Sequence, residues 1–345
     1  MALGARIKQA RKLRGFSQRQ LADRIPVSNT TVSKYEREAS LPDSPMLMEI
    51  AEALDVDLSY FLRSPRVGDI DPVYRKFSSL NKTEERAIIE RIRDWLERYL
   101  EVESILDIDA LDFEWPDDVP RSVSSMEEVE QTALDLRDAW DIGRDPIENL
   151  TERLEDHAIR MGAIDAPDDF DACAVEAEVN GGIPVIVFNA DPPGDRQRFS
   201  IGHELGHLVL HVGENMDEEK ACNRFSGAFL VPREVFVNDV GERRHKISQR
   251  ELELLKQKYG VSMQALVYRM HDLGMITENH FGRIFQWFNN AGYRKEEPGE
   301  PVPPEQPHRF ERMVEHALAE GLITKRRAAE LLDRDPDTLA EPVLA

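Results

Sequence analysis

Apolar residues along the first 63 positions recur at helical spacing. Leu3, Ile7, Ala10 and Leu13 form one stripe, and Gly15 closes it. Ser17 opens a second helix with Leu21, Ala22 and Ile25, which Pro26 ends. Ser28 opens a third through Val32 and Tyr35. Asp43 or Ser44, followed by Pro45, starts a fourth with Leu47, Ile50, Ala51 and Leu54, and Asp57–Leu62 predicts a short fifth. After a break at Pro65, Gly68, Asp71 and Pro72, the apolar positions Phe77, Leu80, Ala87, Ile88, Ile92, Trp95, Leu96 and Tyr99 predict an amphipathic helix. From Ser124 the pattern becomes mixed. A helix carries Val129, Leu134, Leu136 and Trp140 up to Gly143, and Ile147–Met161 predicts another. Two β-type runs, Ala172–Val179 and Ile183–Phe188, flank Asn180-Gly181-Gly182 and predict an antiparallel hairpin. The pattern thus predicts a mainly α chain with an α+β body: a five-helix N-terminal domain and a body with a small β-sheet.

Composition narrows this. With 345 residues and 41% apolar content, the chain is long enough for two or three domains with real cores. Its divisions are expected at 1–66, 67–122 (helical connector and acidic linker), 123–285 (body) and 286–345 (proline-containing linker and helical tail). No window of 18 uninterrupted apolar residues and no apolar leader core are present, so neither a membrane span nor a secretory signal is expected. The two cysteines, Cys173 and Cys222, suit a reducing cytoplasm and exclude a disulfide framework or a four-cysteine metal site.

The net charge of −22 argues against nucleic acid until it is divided along the chain. Residues 1–37 hold nine bases (Arg6, Lys8, Arg11, Lys12, Arg14, Arg19, Arg24, Lys34, Arg37) against Asp23 and Glu36, a net of +7 that leaves −29 for the rest. Such asymmetry points to a nucleic-acid module on an acidic partner. Residues 101–118 hold eight acids and no base, and with Pro116 and Pro120 following they predict an exposed linker.

The basic segment contains two helices joined by a tight turn, SQRQLADRIPVSNTTVSKYE. With its FSQRQLA opening and the LP before the fourth helix, it resembles the Xre/Cro/C1 repressor family of helix-turn-helix domains. That resemblance implies that the helix from Ser28 enters the major groove. Ser28, Asn29, Thr30, Thr31 and Lys34 would then face operator DNA, with Gln18 and Arg19 near a phosphate. Ala39 departs from the glycine common after the recognition helix.

A second motif follows in RQRFSIGHELGHLVLH. His203 and His207 are four apart, so on a helix both imidazoles leave one face and can share a metal. Glu204 is placed to hold a water and take its proton, so that hydroxide attacks a peptide carbonyl. A catalytic zinc site needs a third protein ligand. The run DEEKACNRFSGAFLVP predicts a helix with Ala221, Phe225, Ala228 and Phe229 on its apolar face, and offers Glu219, Glu218 or Asp217.

HELGHLVLH followed by E-x-x-C-N-R-F and FLVP resembles the ImmA/IrrE family of gluzincin-like, and hence zincin-like, metallopeptidases. The resemblance implies Glu219 as third ligand and Asn223 as the residue orienting a neighbouring histidine. His211 is expected to back the ligands or join the core, as are Cys222 and Cys173 as core residues. Zinc suits the donor set first, and manganese also fits. Ser248 and Glu251 predict a capping box, and Tyr268, Arg269 and His271 are candidates for stabilising an oxyanion. The combined resemblance implies a regulatory metalloprotease that binds an operator as a homodimer. It would cleave a transcriptional repressor, including its own kind, to control stress, phage or mobile-element genes. The alternative is a DNA-binding regulator or antitoxin whose peptidase-like body senses a ligand or partner without proteolysis.

Overall fold

Local capping turns the first hydrophobic stripes into helices. Helix α1 (Leu3–Leu13) is followed by α2 (Gln18–Ala22), where Ser17 and Gln20 form a reciprocal capping box, and α3 (Asn29–Glu36), capped by Ser28. Asp43 with Pro45 starts α4 (Ser44–Leu54), and the expected fifth helix is a 3-10 turn, Leu58–Leu62, capped by Asp57. Ile7, Leu21, Val32, Ile50, Leu54 and Phe61 close one core, so the head folds around its own centre. The turn after α3 uses Glu38 at φ +56, so Ala39 does not carry the left-handed position. The computed structural model describes residues 3–63, 67, 70, 80–108, 113–177 and 182–339. The predicted break at Pro65, Gly68, Asp71 and Pro72 lies outside them, as do Phe77, Val179, Asn180 and Gly181.

The long helix α5 (Lys82–Ile105) begins at an Asn81–Glu84 capping box. Then come β1 (Arg121–Val123), α6 (Met126–Ala139), α7 (Leu150–Asp156), β2 (Arg160–Ile164), β3 (Ala172–Ala177), β4 (Ile183–Asn189), α8 (Gly194–Val209), β5 (Leu210–Val212) and α9 (Glu218–Leu230). The main sheet has the order β2-β4-β3, with β2 parallel and β3 antiparallel to β4. Its central strand β4 is buried throughout. Alternate side chains leave opposite faces. Met161, Ala174, Ile186 and Phe188 join the core of α8 and α9, while Cys173, Val175, Val185 and Val187 join that of α5. The sheet is therefore the middle of three layers. A second, two-stranded sheet pairs β1 parallel to β5.

The chain continues as α10 (Arg233–Val240), α11 (Gln249–Tyr259), α12 (Met263–Asp272), α13 (Glu278–Ala291), α14 (Arg309–Ala319) and α15 (Lys325–Leu332). Among the described residues no helix is long and apolar enough to cross a membrane.

Four sequence expectations need correction. Ile147–Met161 is not one helix: α7 ends at Asp156, Ala158 takes φ +60, and Arg160–Ile164 is a strand. Its partner β4 and the Trp95 ring, which lies 2.8 Å from where a Gly162 Cβ would be, are both distant in sequence. The acidic run is only partly a linker, because Glu101 and Glu103 belong to α5. Glu103 is buried against Arg160, and Glu101 receives Arg327. Helix α13 runs through the expected 285/286 division. Ser248 caps α11, but the Glu251 carboxylate pairs with Arg244 instead of completing a capping box.

The tail is packed into the molecule. Gly194 N–H donates to Val302 O at 3.0 Å, and a Cβ on Gly194 would lie 1.9 Å from Pro303 O. Buried Glu305 takes Arg198 at 2.6 Å and the Thr151 N–H at 3.0 Å. Phe310 of α14 stacks on Tyr99 of α5. Helix α15 reaches the head through Arg326–Asp57 at 2.6 Å. Head and α5 meet directly through Arg6–Glu97 and Lys12–Glu90. Clefts of about 980 and 390 Å³ lie along this seam of head, α5 and tail.

Candidate functional site

The metal-type motif is built by one close helix crossing. Gln197 donates to Asn189 O and Ala190 O, which fixes the start of α8 to the end of β4. Further along, Gly202 and Gly206 are one turn apart on the face toward α9. A Cβ on Gly202 would lie 2.6 Å from Ser226 Oγ, and one on Gly206 would lie 3.2 Å from the Cys222 Cα. The two glycines thus allow the backbones to approach, and that approach brings the first two turns of α9 over the histidines. The sequence reading missed this pair, although its four-residue spacing inside the histidine motif was visible.

His203, Glu204 and His207 are all buried and form one cluster of potential metal ligands. The two Nε2 atoms are 3.2 Å apart. Glu219 faces both, with Oε2 3.7 Å from His203 Nε2 and Oε1 3.6 Å from His207 Nε2. On the far sides of the rings, Asn223 Oδ1 is 2.9 Å from His203 Nδ1, and Glu218 Oε1 is 3.2 Å from His207 Nδ1. Asp217 caps α9 through the Lys220 N–H. Glu204 Oε2 accepts the Ala174 N–H of β3 at 2.8 Å. Metal–donor bonds of about 2.0–2.1 Å in a tetrahedron imply donor separations of roughly 3.4 Å. The 3.2 Å between the two Nε2 atoms and the 3.7 and 3.6 Å from His203 and His207 to separate Glu219 oxygens lie on either side of that value, so the chemistry and spacing of the donors suit a small divalent cation.

Other candidates fall elsewhere. His211 is exposed on β5, beyond the end of α8, so it is not a core residue. Cys173 and Cys222 are buried thiols that form no disulfide, as expected of core cysteines. Burial, followed by the nearby Glu204 charge, pushes the Cys173 thiol up out of the titrating range. Cys222 Sγ also comes within 3.4 Å of His207 Nδ1. Of the oxyanion candidates, Arg269 is spent on Val231 O and Glu130, His271 pairs with Glu278, and Tyr268 packs on Phe281 and Phe285. Burial would raise the Glu130 carboxyl, but Arg269 and Arg224 hold it below its usual value.

The head presents a different kind of surface. Asn29, Thr30 and Lys34 project into solvent from α3, and Arg19 does so from α2. Ser28 is exposed but occupied: its Oγ accepts the Thr31 N–H and lies 2.9 Å from the half-buried Thr31 hydroxyl. Gln18 is half-buried, and its amide donates to Glu36 at 2.7 Å. The +7 charge is not all available to this face. Arg11 pairs with Glu36 and Arg14 with Asp55, while Arg6 and Lys12 point to α5.

A capped helix-turn-helix with an open polar face, joined to a buried histidine–glutamate cluster, defines a two-part class: a DNA-binding-type head on a metallopeptidase-type body. The comparisons agree. Residues 7–61 match the helix-turn-helix family, and residues 160–271 match the IrrE N-terminal-like domain of the M78 peptidases. Similar proteins include the HTH-type transcriptional regulator ImmR of Bacillus subtilis (strain 168). It is 34% identical over 90 residues, which span 26% of this chain and 68% of ImmR. The uncharacterized HTH-type transcriptional regulator RP497 of Rickettsia prowazekii (strain Madrid E) is 30% identical over 102 residues, covering 26% of this chain and 78% of its own length. The chain belongs to the helix-turn-helix transcriptional regulators and carries an IrrE N-terminal-like peptidase domain in the same polypeptide.

Proposed function

We propose that this protein is a DNA-binding regulatory metalloprotease that cleaves a transcriptional repressor, with a second copy of its own kind among the candidate substrates. The observation that carries the reading is the buried cluster of His203, Glu204 and His207, with Glu219 facing both histidines from α9. His203 Nε2, His207 Nε2 and a Glu219 oxygen would hold one divalent cation, zinc by donor type, with manganese also suited. When bound, such an ion supplies water acidification and carbonyl polarisation. Glu204 takes the proton from the attacking water and passes it to the leaving amine nitrogen. The Ala174 N–H fixes one of its oxygens. Asn29, Thr30 and Lys34, with Ser28 and Thr31 at the start of α3, address the major groove, and Arg19 and Gln18 lie toward the phosphates. Operator binding as a homodimer in the cytoplasm completes the reading.

The test is Glu204→Gln in the full chain, co-expressed with candidate repressors or with a tagged second copy. Cleavage falls by at least about 10²–10⁴-fold while metal content is retained. Undiminished cleavage overturns the mechanism.

A second reading has its own support: a regulator or antitoxin whose body senses a ligand without proteolysis. The clefts on the seam between head, α5 and tail include none of His203, Glu204 or His207 in their lining, and ImmR is named as a regulator. This reading predicts operator binding that is unchanged in Glu204→Gln and no cleavage by the wild type.

A further inference from the structure

Three consecutive acids open α9, and the structure gives each a different surrounding. Asp217 is the N-cap, and its carboxylate accepts the Lys220 N–H at 3.2 Å. Glu218 and Glu219 follow at about 100° to one another around the helix. That rotation lets them approach His207 from different sides. Glu219 faces Nε2 at 3.6 Å, on the side shared with His203, and Glu218 meets Nδ1 at 3.2 Å.

From this we infer that Glu218 is a positioning residue for His207, resting on the reading above that His203, His207 and Glu219 hold a metal. A carboxylate on Nδ1 accepts the ring proton there, which leaves the Nε2 lone pair for the ion and raises its basicity. Neutral imidazole has one N–H, so the tautomer is settled by whichever nitrogen has the stronger acceptor. The two histidines are therefore served unequally. His203 has the neutral Asn223 amide oxygen at 2.9 Å, whereas His207 has a charged oxygen. Cys222 Sγ, 3.4 Å from the same Nδ1, is the weaker acceptor of the two. The Glu218 side chain is 41% exposed, whereas the His207 side chain is fully buried.

The experiment compares full-length wild type, Glu218→Ala, Glu218→Gln and Glu219→Ala. Zinc affinity is measured by competition with a chromophoric chelator, and each cobalt-loaded protein is examined by visible absorption. The expected result is a 10–100-fold weaker affinity for Glu218→Ala, substantial recovery in Glu218→Gln, and a cobalt spectrum unchanged in band pattern in both. Glu219→Ala loses both metal and the spectrum. Wild-type affinity in Glu218→Ala, with Glu219→Ala still defective, overturns the positioning role alone. A Glu218→Ala protein that alters the cobalt spectrum as Glu219→Ala does would make Glu218 a ligand and also overturn it. Full affinity in Glu219→Ala would overturn the underlying metal reading.

Discussion

The head and the body place their candidate chemistry oppositely. On the head, Asn29, Thr30, Lys34 and Arg19 stand in solvent on helices held by local caps. In the body, His203, Glu204 and His207 are at most 7% exposed, and Glu219 reaches the two histidines from a second helix. A surface face is the complement of a core stripe and follows from one helix. A buried centre exists only if two helices reach the right separation, so it is far more sensitive to packing.

That contrast orders the mutational consequences. Glu219→Ala breaks the body alone: metal affinity falls by more than about 100-fold, beyond the range of ligand-supporting residues, while operator affinity stays at the wild-type level. Metal titration and DNA binding on the same sample check this. Gly206→Val tests the close approach itself. With Cys222 Cα already 3.2 Å from the added Cβ, the crossing must open, costing about 1–3 kcal/mol and weakening metal uptake as well. Calorimetric unfolding with and without zinc measures both, and an unchanged variant would remove the glycine argument.

On the head, Arg19→Ala and Lys34→Ala are expected to lower DNA affinity and to reduce the log–log salt slope by about 1 each. Zinc binding should not move. Loss of affinity with no change in slope would show that neither side chain meets a phosphate.

A pH dependence is expected where α7 meets the tail. Burial pushes Glu155 up to about 7 from its ordinary 4.5, offset only in part by the Arg309 N–H and the Arg312 and Arg309 charges. A carboxyl raised in the folded state contributes fully below about pH 4.5, and that contribution is lost as pH rises toward 7. Glu155→Gln therefore gains stability relative to wild type across this interval, measured as a rising difference in Tm. A difference that is flat with pH would contradict the assignment.

The same contrast explains what could be read from the chain. Ser17, Ser28 and Asp43 act within three residues of themselves, so the helix starts of the head were legible. His203, Glu204 and His207 share one helix, and their spacing alone brings them together. Asp217, Glu218 and Glu219 were not separable, because adjacency does not settle the rotation of α9 against α8. Strand β2 was hidden because its pairing with β4 is non-local. The tail was opaque for the same reason: Glu305 meets Arg198 across 107 positions. Bulk charge misled in both directions, since Arg6 and Lys12 of the basic head serve the seam with α5 and not the open face of α3.

The proposed function stands on one metal held between α8 and α9. Crystals of zinc-loaded full-length protein, with anomalous data collected on both sides of the zinc absorption edge, test it most directly. A single peak is expected within about 2.3 Å of His203 Nε2, His207 Nε2 and a Glu219 oxygen, with Glu218 remaining on His207 Nδ1. A metal-replete crystal without that peak, or with a peak held by other residues, would contradict it.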